Sequence, residues 1–202
     1  GPFNGPRRVL VLGASSGFGL ASRIALTFGA GADTLGISFE RGPSDKGLGS
    51  AGWYNNIWFR QAAEQEGRIA INLIGDAFSD AMRQQAIDAI RQQLGQVDLV
   101  IYSLASGLRV LQDGRQVRSV LKTTGQPFSG WGLDLEQDTL VQQSLSPATP
   151  EEIRDTVTVM GGEDWQLWLQ ALQQADCLAP GAQTVAYSYI GPESTYPLYR
   201  DG

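Results

Sequence analysis

The stretch "VLVLGASSGFGLASRI", residues 9–24, constrains the fold more than any other part of this sequence. An apolar run passes through Gly13, Gly17 and Gly19 into a segment with helical periodicity. Glycines allow a backbone to approach a pyrophosphate at a helix N-terminus, but the same kind of turn also serves simple strand-to-helix packing. The turn by itself therefore leaves two interpretations open, a dinucleotide site and a tight turn in a packed core.

The order of the segments predicts an α/β fold, a Rossmann-like doubly wound parallel sheet. Short apolar runs alternate with longer amphipathic ones, as in chains built from βαβ units. Right-handed crossovers place the ends of the first and fourth strands side by side, where such folds bind ligands. The predicted strands are 7–14, 33–40, 68–77, 97–105 and 183–191.

Residues 106–181 interrupt this alternation, and we interpret them as an insertion and helices that follow the fourth strand. Within them "DGR" at 113–115 predicts a hairpin turn, whereas "FSGWGLD" at 128–134 is expected to be a loop. The spacing of Thr149 and Glu152 is that of a capping box, which predicts the start of a helix.

The sequence contains no histidine and one cysteine, Cys177, and this excludes several kinds of chemistry. A histidine-containing zinc site, a Ser-His-Asp triad and an imidazole general base are all ruled out within this chain. A single cysteine forms neither an internal disulfide nor a CxxC pair. Acid–base chemistry must therefore come from tyrosine, a carboxylate, lysine, a cofactor or water.

The charge and hydropathy patterns bear on partners and location. The formal net charge is −6, and the two lysines, Lys46 and Lys122, are far apart, so we expect no nucleic-acid partner. Transmembrane helices need about 18 or more consecutive apolar residues, and no such run occurs, so we expect no integral membrane segment. The opening "GPFNGPRRVL" lacks the apolar core of a signal peptide, which predicts a cytoplasmic protein.

Residues at the ends of the predicted strands favour the dinucleotide interpretation. Glu40 lies 21 residues after Gly19, where a dinucleotide fold places a carboxylate on the adenosine ribose hydroxyls. This favours NAD over NADP, although Arg41 beside it is able to accommodate a 2′-phosphate. Asp76 is in position to reach the adenine edge, or else it is a turn residue ahead of an N-cap at Ser79.

The candidate cofactor-binding residues come from the glycine turn and from the ends of the second, third and fourth strands. They are Gly13, Ala14, Ser15, Ser16, Gly17, Phe18, Gly19, Phe39, Glu40, Asp76, Ala77, Leu104 and Ala105.

Six segments carry a resemblance to a known family: "GASSGFGLASRIALTFGAGADTLGISFE", "AGWYN", "GDAFSD", "GQVDLVIYSLAS", "VMGGEDWQLWL" and "YSYIGPESTYPLYRDG". The chain resembles the bacterial trans-2-enoyl-CoA reductases, the V-type enoyl-ACP reductases, which are enlarged relatives of the short-chain dehydrogenases. The resemblance covers nearly the whole chain. It implies NADH-dependent reduction of the double bond of a trans-2-enoyl thioester, carried on acyl carrier protein or coenzyme A, in fatty acid synthesis.

The resemblance also implies roles for two tyrosines. Tyr199 matches the tyrosine of the family's Tyr-x8-Lys motif and is implied to be catalytic, and Tyr189 matches the substrate-contacting position. The partner lysine would be residue 208, beyond the last residue of this sequence. Members of the family are also considerably longer. We therefore interpret residues 1–202 as one NAD-binding Rossmann-type domain, incomplete at its C-terminus, monomeric, and inactive by itself.

Two other functions remain open from the sequence. An ordinary short-chain dehydrogenase acting on an alcohol or ketone would need Tyr-x-x-x-Lys, and no lysine follows Lys122. A non-catalytic dinucleotide-binding module would need no lysine at all.

Overall fold

The computed structural model describes residues 2–199, and the chain divides into two compact units. The first unit comprises residues 2–105, 110–114 and 164–187. The second comprises residues 106–109, 115–163 and 188–199.

Nine strands and six α-helices are assigned within residues 2–199. The strands are β1 Arg8–Leu12, β2 Asp33–Ser38, β3 Ala70–Ile74, β4 Val97–Tyr102, β5 Leu108–Val110, β6 Gln116–Arg118, β7 Phe128–Asp134, β8 Thr139–Leu145 and β9 Leu178–Ala186. The helices are α1 Gly17–Ile24, α2 Ala51–Gln65, α3 Asp80–Ala89, α4 Pro150–Met160, α5 Glu163–Gln174 and α6 Tyr196–Tyr199. π-helical turns at Ala25–Ala30 and Ile90–Leu94 extend α1 and α3, and a 3₁₀ turn at Glu193–Thr195 precedes α6.

The first unit is built on a five-stranded parallel sheet in the order β3-β2-β1-β4-β9. The predicted doubly wound sheet is therefore confirmed, with β1 and β4 adjacent as expected. Leu12, the last residue of β1, lies between Ile37 of β2 and Tyr102 of β4. The segments that follow these three strands consequently share one edge of the sheet.

The apolar residues of the parallel strands face helices on both sides, as continuous hydrophobic runs require. On one side Leu10 and Leu12 pack in a cluster with Trp168 and Leu172 of α5. On the other side Val9 and Val11 belong to a second cluster. These four strand residues have no exposed surface, so β1 lies at the centre of the core.

The helix starts agree with the predicted caps. Ser79 precedes α3, and its hydroxyl accepts from the amide of Met82. Thr149 accepts from the amide of Glu152, whose carboxylate accepts in turn from the amide of Thr149, which completes the predicted capping box of α4.

The expectation of a loop at 128–134 is wrong, because this segment is β7, which pairs antiparallel with β8. Two glycines suggested a loop, but both lie within the strand. The ring of Phe128 packs over Gly130, and the amide of Gln143 packs over Gly132. The glycines thus make room for a neighbour on the same strand and for one on the partner strand.

The fifth strand of the sheet begins and ends earlier than predicted, at Leu178–Ala186 instead of 183–191. Pro180 and Gly181 hid its beginning, because this pair is typical of turns. The register between β4 and β9 shifts at this point, and Gly181 has φ +76°. The extra residues are accommodated as an irregularity of the strand.

None of the helices in residues 2–199 has the length and apolar character that a membrane crossing requires.

Candidate functional site

The glycine turn after β1 combines tight packing with open space. A Cβ at Gly13, where φ is +85°, would overlap the carbonyl oxygen of Ser103, and a Cβ at Gly19 would overlap the carbonyl oxygen of Gly13. Gly17 differs, because a Cβ there would meet no atom within 4 Å. Two glycines of the turn therefore serve the packing of the protein, and the third borders space that a ligand is able to fill.

The N-terminus of α1 faces this open space. Ser16 occupies the N-cap position, but its side chain makes no capping hydrogen bond. Ser16, Gly17 and Phe18 are all exposed. Uncapped amides at the positive end of a helix dipole suit a phosphate group, so the arrangement fits the pyrophosphate of a dinucleotide.

The ends of the four neighbouring strands are joined by backbone hydrogen bonds. The amide of Gly13 donates to Ile37 at 2.9 Å, and that of Ser103 donates to Leu12 at 2.8 Å. The amide of Gly75 donates to Ser38 at 2.9 Å. The structure thus brings the predicted cofactor-binding segments together at the carboxyl edge of the sheet.

Glu40 lies against the glycine turn, half-buried just beyond β2. Its carboxylate accepts a hydrogen bond of 2.5 Å from the hydroxyl of Ser15, and a second from the hydroxyl of Ser50. Phe39 beside it is 82 % exposed. A carboxylate fixed next to a phosphate-binding turn is the arrangement that recognises ribose hydroxyls.

Asp76 forms the turn between β3 and α3. Its side chain accepts from the amide of Phe78 at 2.9 Å, and its carbonyl accepts from the hydroxyl of Ser79. Ala77 is buried, and its carbonyl accepts from the indole of Trp168 at 3.0 Å. In this structure Asp76 has the turn role that the sequence offered as an alternative to an adenine contact.

The remaining candidates surround the turn. Ala14 is buried, and its amide donates to the carbonyl of Ile37 at 3.0 Å. Leu104 is half-buried and Ala105 is exposed, in the segment that follows β4.

The two predicted active-site tyrosines meet in the second unit. The rings of Tyr189 and Tyr199 are 4.9 Å apart between centroids, with an angle of 81° between their planes. Both are exposed, Tyr189 to 63 % and Tyr199 to 38 %. Neither tyrosine is therefore confined to core packing.

Cys177 is fully buried, and burial raises the pKa of its thiol above the ordinary value. A protonated, enclosed thiol is a poor nucleophile. The cysteine therefore serves packing.

Comparison with known proteins decides the family. Residues 47–202 match the model of the trans-2-enoyl-CoA reductase catalytic region, and residues 1–45 match that of the NAD(P)H binding domain of trans-2-enoyl-CoA reductase. The chain belongs to the trans-2-enoyl-CoA reductase family. The resemblance expected from the six sequence segments is thereby confirmed.

Curated relatives of this chain include NADH enoyl-[acyl-carrier-protein] reductases. That of Vibrio vulnificus strain YJ016 is 59 % identical over 98 % of this chain, and that of a Marinomonas species is 52 % identical. The chain spans about half the length of these relatives, 50 % in both cases.

Two solved reductases share the fold closely. The trans-2-enoyl-CoA reductase of Clostridium acetobutulicum, in complex with NAD, has a TM-score of 0.93 and 46 % identity, and 100 % of this chain aligns with 52 % of it. The trans-2-enoyl-CoA reductase of Treponema denticola, also in complex with NAD, has a TM-score of 0.92 and 47 % identity. The match covers 98 % of this chain and 50 % of the Treponema chain.

Several residues around the glycine turn were not among the candidates chosen from the sequence. Ser50 and Gly52 lie at the start of α2 and contact Glu40. Asn55 donates to the carbonyl of Ser15 at 2.9 Å. The ring centroids of Tyr187 and Phe18 are 5.9 Å apart. Gly52 and Asn55 lie in the "AGWYN" segment, but the spacing of its residues matches no motif for cofactor binding.

Proposed function

We propose that this chain carries the cofactor-binding and proton-donating residues of an NADH-dependent trans-2-enoyl thioester reductase. The first unit holds NADH, and Tyr189 and Tyr199 of the second unit act on the substrate. The observation that carries the proposal is the edge-to-face pair of exposed tyrosines, at the two positions that the family resemblance implies.

The residues of the first unit fit a dinucleotide. The open space at Gly17 and the uncapped start of α1 accept the pyrophosphate, and the carboxylate of Glu40 accepts from the adenosine ribose hydroxyls. A 2′-phosphate would be repelled by the same carboxylate, which favours NADH over NADPH. When bound, NADH supplies the hydride for reduction of the double bond.

Tyr199 supplies a hydrogen bond and a proton. Reduction at the β-carbon of an enoyl thioester places negative charge on the thioester oxygen and leaves the α-carbon to be protonated. A phenol is a hydrogen-bond donor of suitable acidity once a cation lies near it. Tyr189 contacts the substrate and, through its ring, orients Tyr199.

The carrier of the acyl group is acyl carrier protein, with coenzyme A as the alternative. Relatives more than 50 % identical are named for the acyl-carrier-protein substrate, and the solved relatives for the coenzyme A substrate. We further propose that the protein is monomeric and cytoplasmic. Sedimentation velocity tests whether it is a monomer.

A chimeric enzyme tests the proposed reaction. Residues 1–202 replace the matching segment of the Vibrio vulnificus relative, and NADH oxidation is followed with crotonyl-ACP and with crotonyl-CoA. We expect turnover with NADH, and a loss of about 10² to 10⁴ in kcat for Tyr199→Phe with NADH affinity unchanged.

Tyr196→Phe, on the same short helix, is the matched control and should retain near-normal kcat. The absence of any thioester-dependent oxidation would overturn the proposal. Full activity of Tyr199→Phe would overturn the role given to its hydroxyl.

A further inference from the structure

The Glu40 carboxylate is held by residues of two separate segments. Ser15 of the glycine turn donates to one carboxylate oxygen at 2.5 Å, and Ser50 donates to the other. A carboxylate has about four acceptor sites, so positions remain free for ribose hydroxyls. The two serines thus fix the group without using all of its hydrogen-bonding capacity.

Ser50 has the place of a helix cap but not its usual function. It precedes α2 in the N-cap position, and its side chain makes no capping hydrogen bond. Its hydroxyl instead donates to Glu40 and accepts from the amide of Arg41 at 3.1 Å. Its own amide donates to the carbonyl of Arg41 at 2.9 Å, which closes the loop between β2 and α2.

Ser15 is itself held in place. It is 5 % exposed, and its carbonyl accepts from the side chain of Asn55 on α2 at 2.9 Å. Helix α2 therefore fixes Glu40 directly through Ser50 and indirectly through Asn55.

Gly52 leaves the space that the carboxylate occupies. It is buried at the second position of α2, and a Cβ there would overlap the carboxylate of Glu40. Alanine is a better helix former than glycine, so backbone conformation gives no reason for glycine at this position. The obstructing atoms are the end of a flexible side chain, which an alanine would displace without breaking the helix.

Building on the proposed function, we infer that Ser15, Ser50 and Gly52 are positioning residues that hold the Glu40 carboxylate toward the ribose, and that discrimination between NADH and NADPH depends on them. A displaced carboxylate accepts poorly from the ribose hydroxyls and no longer repels a 2′-phosphate. Affinity for NADH should then fall while affinity for NADPH rises or stays level.

Titration of the chimeric enzyme, which contains residues 1–202, with NADH and with NADPH, followed by cofactor fluorescence, tests the inference. Gly52→Ala should lower the ratio of NADH to NADPH affinity about tenfold, and Ser50→Ala about threefold. Ser50→Thr keeps the hydroxyl and should retain the wild-type ratio. Thermal unfolding of Gly52→Ala should show no loss of stability.

Two variants serve as matched controls. Gly125→Ala adds a methyl group where a Cβ would meet no atom within 4 Å, and Ser44→Ala removes a hydroxyl from the same loop as Ser50. Both should retain the wild-type ratio.

The outcomes separate the inference from the proposed function. A wild-type chain that prefers NADH, with ratios unchanged in Gly52→Ala and Ser50→Ala, overturns the inference alone. A higher ratio in Ser50→Ala also overturns it, because Ser50 would then compete with the ribose. A wild-type chain that binds neither cofactor, or binds NADPH equally well, overturns the proposed function and the inference with it.

Discussion

The rings of Tyr189 and Tyr199 meet edge to face, with centroids 4.9 Å apart. Gly191 makes this contact possible. Its φ is +67°, and a Cβ there would overlap the hydroxyl of Thr195 and would lie 3.2 Å from the ring of Tyr199 and 3.3 Å from that of Tyr189. A side chain at position 191 would thus both strain the backbone and press on the two rings.

We expect Gly191→Ala to lower kcat of the chimeric enzyme about tenfold to a hundredfold, because small displacements of catalytic groups are costly. Gly181→Ala is the control, since φ there is +76° and a Cβ would meet no atom within 4 Å. Both variants carry the same kind of backbone strain, of order 1–2 kcal/mol. Equal kcat in the two variants would contradict the orienting role of the tyrosine contact.

Gly17→Val tests the space at the glycine turn. A valine at position 17 would project into the region that we assign to the pyrophosphate, so NADH binding in a fluorescence titration should be abolished. Gly67→Val is the matched control. Gly67 also has a positive φ, +67° compared with +53° at Gly17, and a Cβ there would likewise meet no atom within 4 Å. The two variants should unfold at similar urea concentrations. NADH affinity retained in Gly17→Val would mean that the turn is structural only.

The first four strands of the parallel sheet, the caps and the position of Glu40 were predictable because each depends on local pattern. The apolar run of β1 and the Thr149–Glu152 spacing are visible within a few residues. The spacing of Glu40 from the glycine turn follows from the length of one βαβ unit. That the carboxyl ends of the strands lie at one edge of the sheet follows from the right-handed crossovers between parallel strands.

The support of Glu40 and the β7–β8 hairpin were not predictable in the same way. The contact of Glu40 with Ser50 depends on the path of the loop between them, and no periodicity reports that path. In β7 Gly132 is explained by Gln143 of the partner strand, which a sequence taken one segment at a time does not reveal.

Arg23 is a further feature that sequence pattern did not show. It has no exposed surface, and its guanidinium donates to Thr34 at 3.0 Å, Asn72 at 2.6 Å and the carbonyl of Ile71 at 2.8 Å. The cation also lies 4.2 Å from the ring centroid of Phe59. Burial lowers the pKa of Arg23 to about 9, which still leaves it charged at neutral pH.

We expect Arg23→Lys to lower the free energy of unfolding by about 3 kcal/mol, because a lysine cannot serve this planar set of neutral acceptors. Exposed Arg60→Lys should change it by less than about 0.5 kcal/mol. Urea unfolding at neutral pH measures both. Similar values for the two variants would show that the hydrogen bonds of Arg23 contribute little.

Glu152 provides a test by pH. The hydrogen bond from Lys122, followed by that from the amide of Thr149, lowers the pKa of Glu152 below its ordinary value of 4.5. A carboxylate whose pKa is lower in the folded state stabilises the fold above the unfolded pKa. This contribution is lost as the pH falls through the folded pKa. Glu152→Gln removes the titrating group, so the wild-type chain should be the more stable of the two at neutral pH. Its advantage in free energy of unfolding should shrink as the solution is acidified below pH 4.5. Urea unfolding of both chains across this range measures the difference, with Glu151→Gln on the same helical turn as control. A difference that does not change with pH would contradict the ionic origin of the effect and leave only the neutral hydrogen bonds of the capping box.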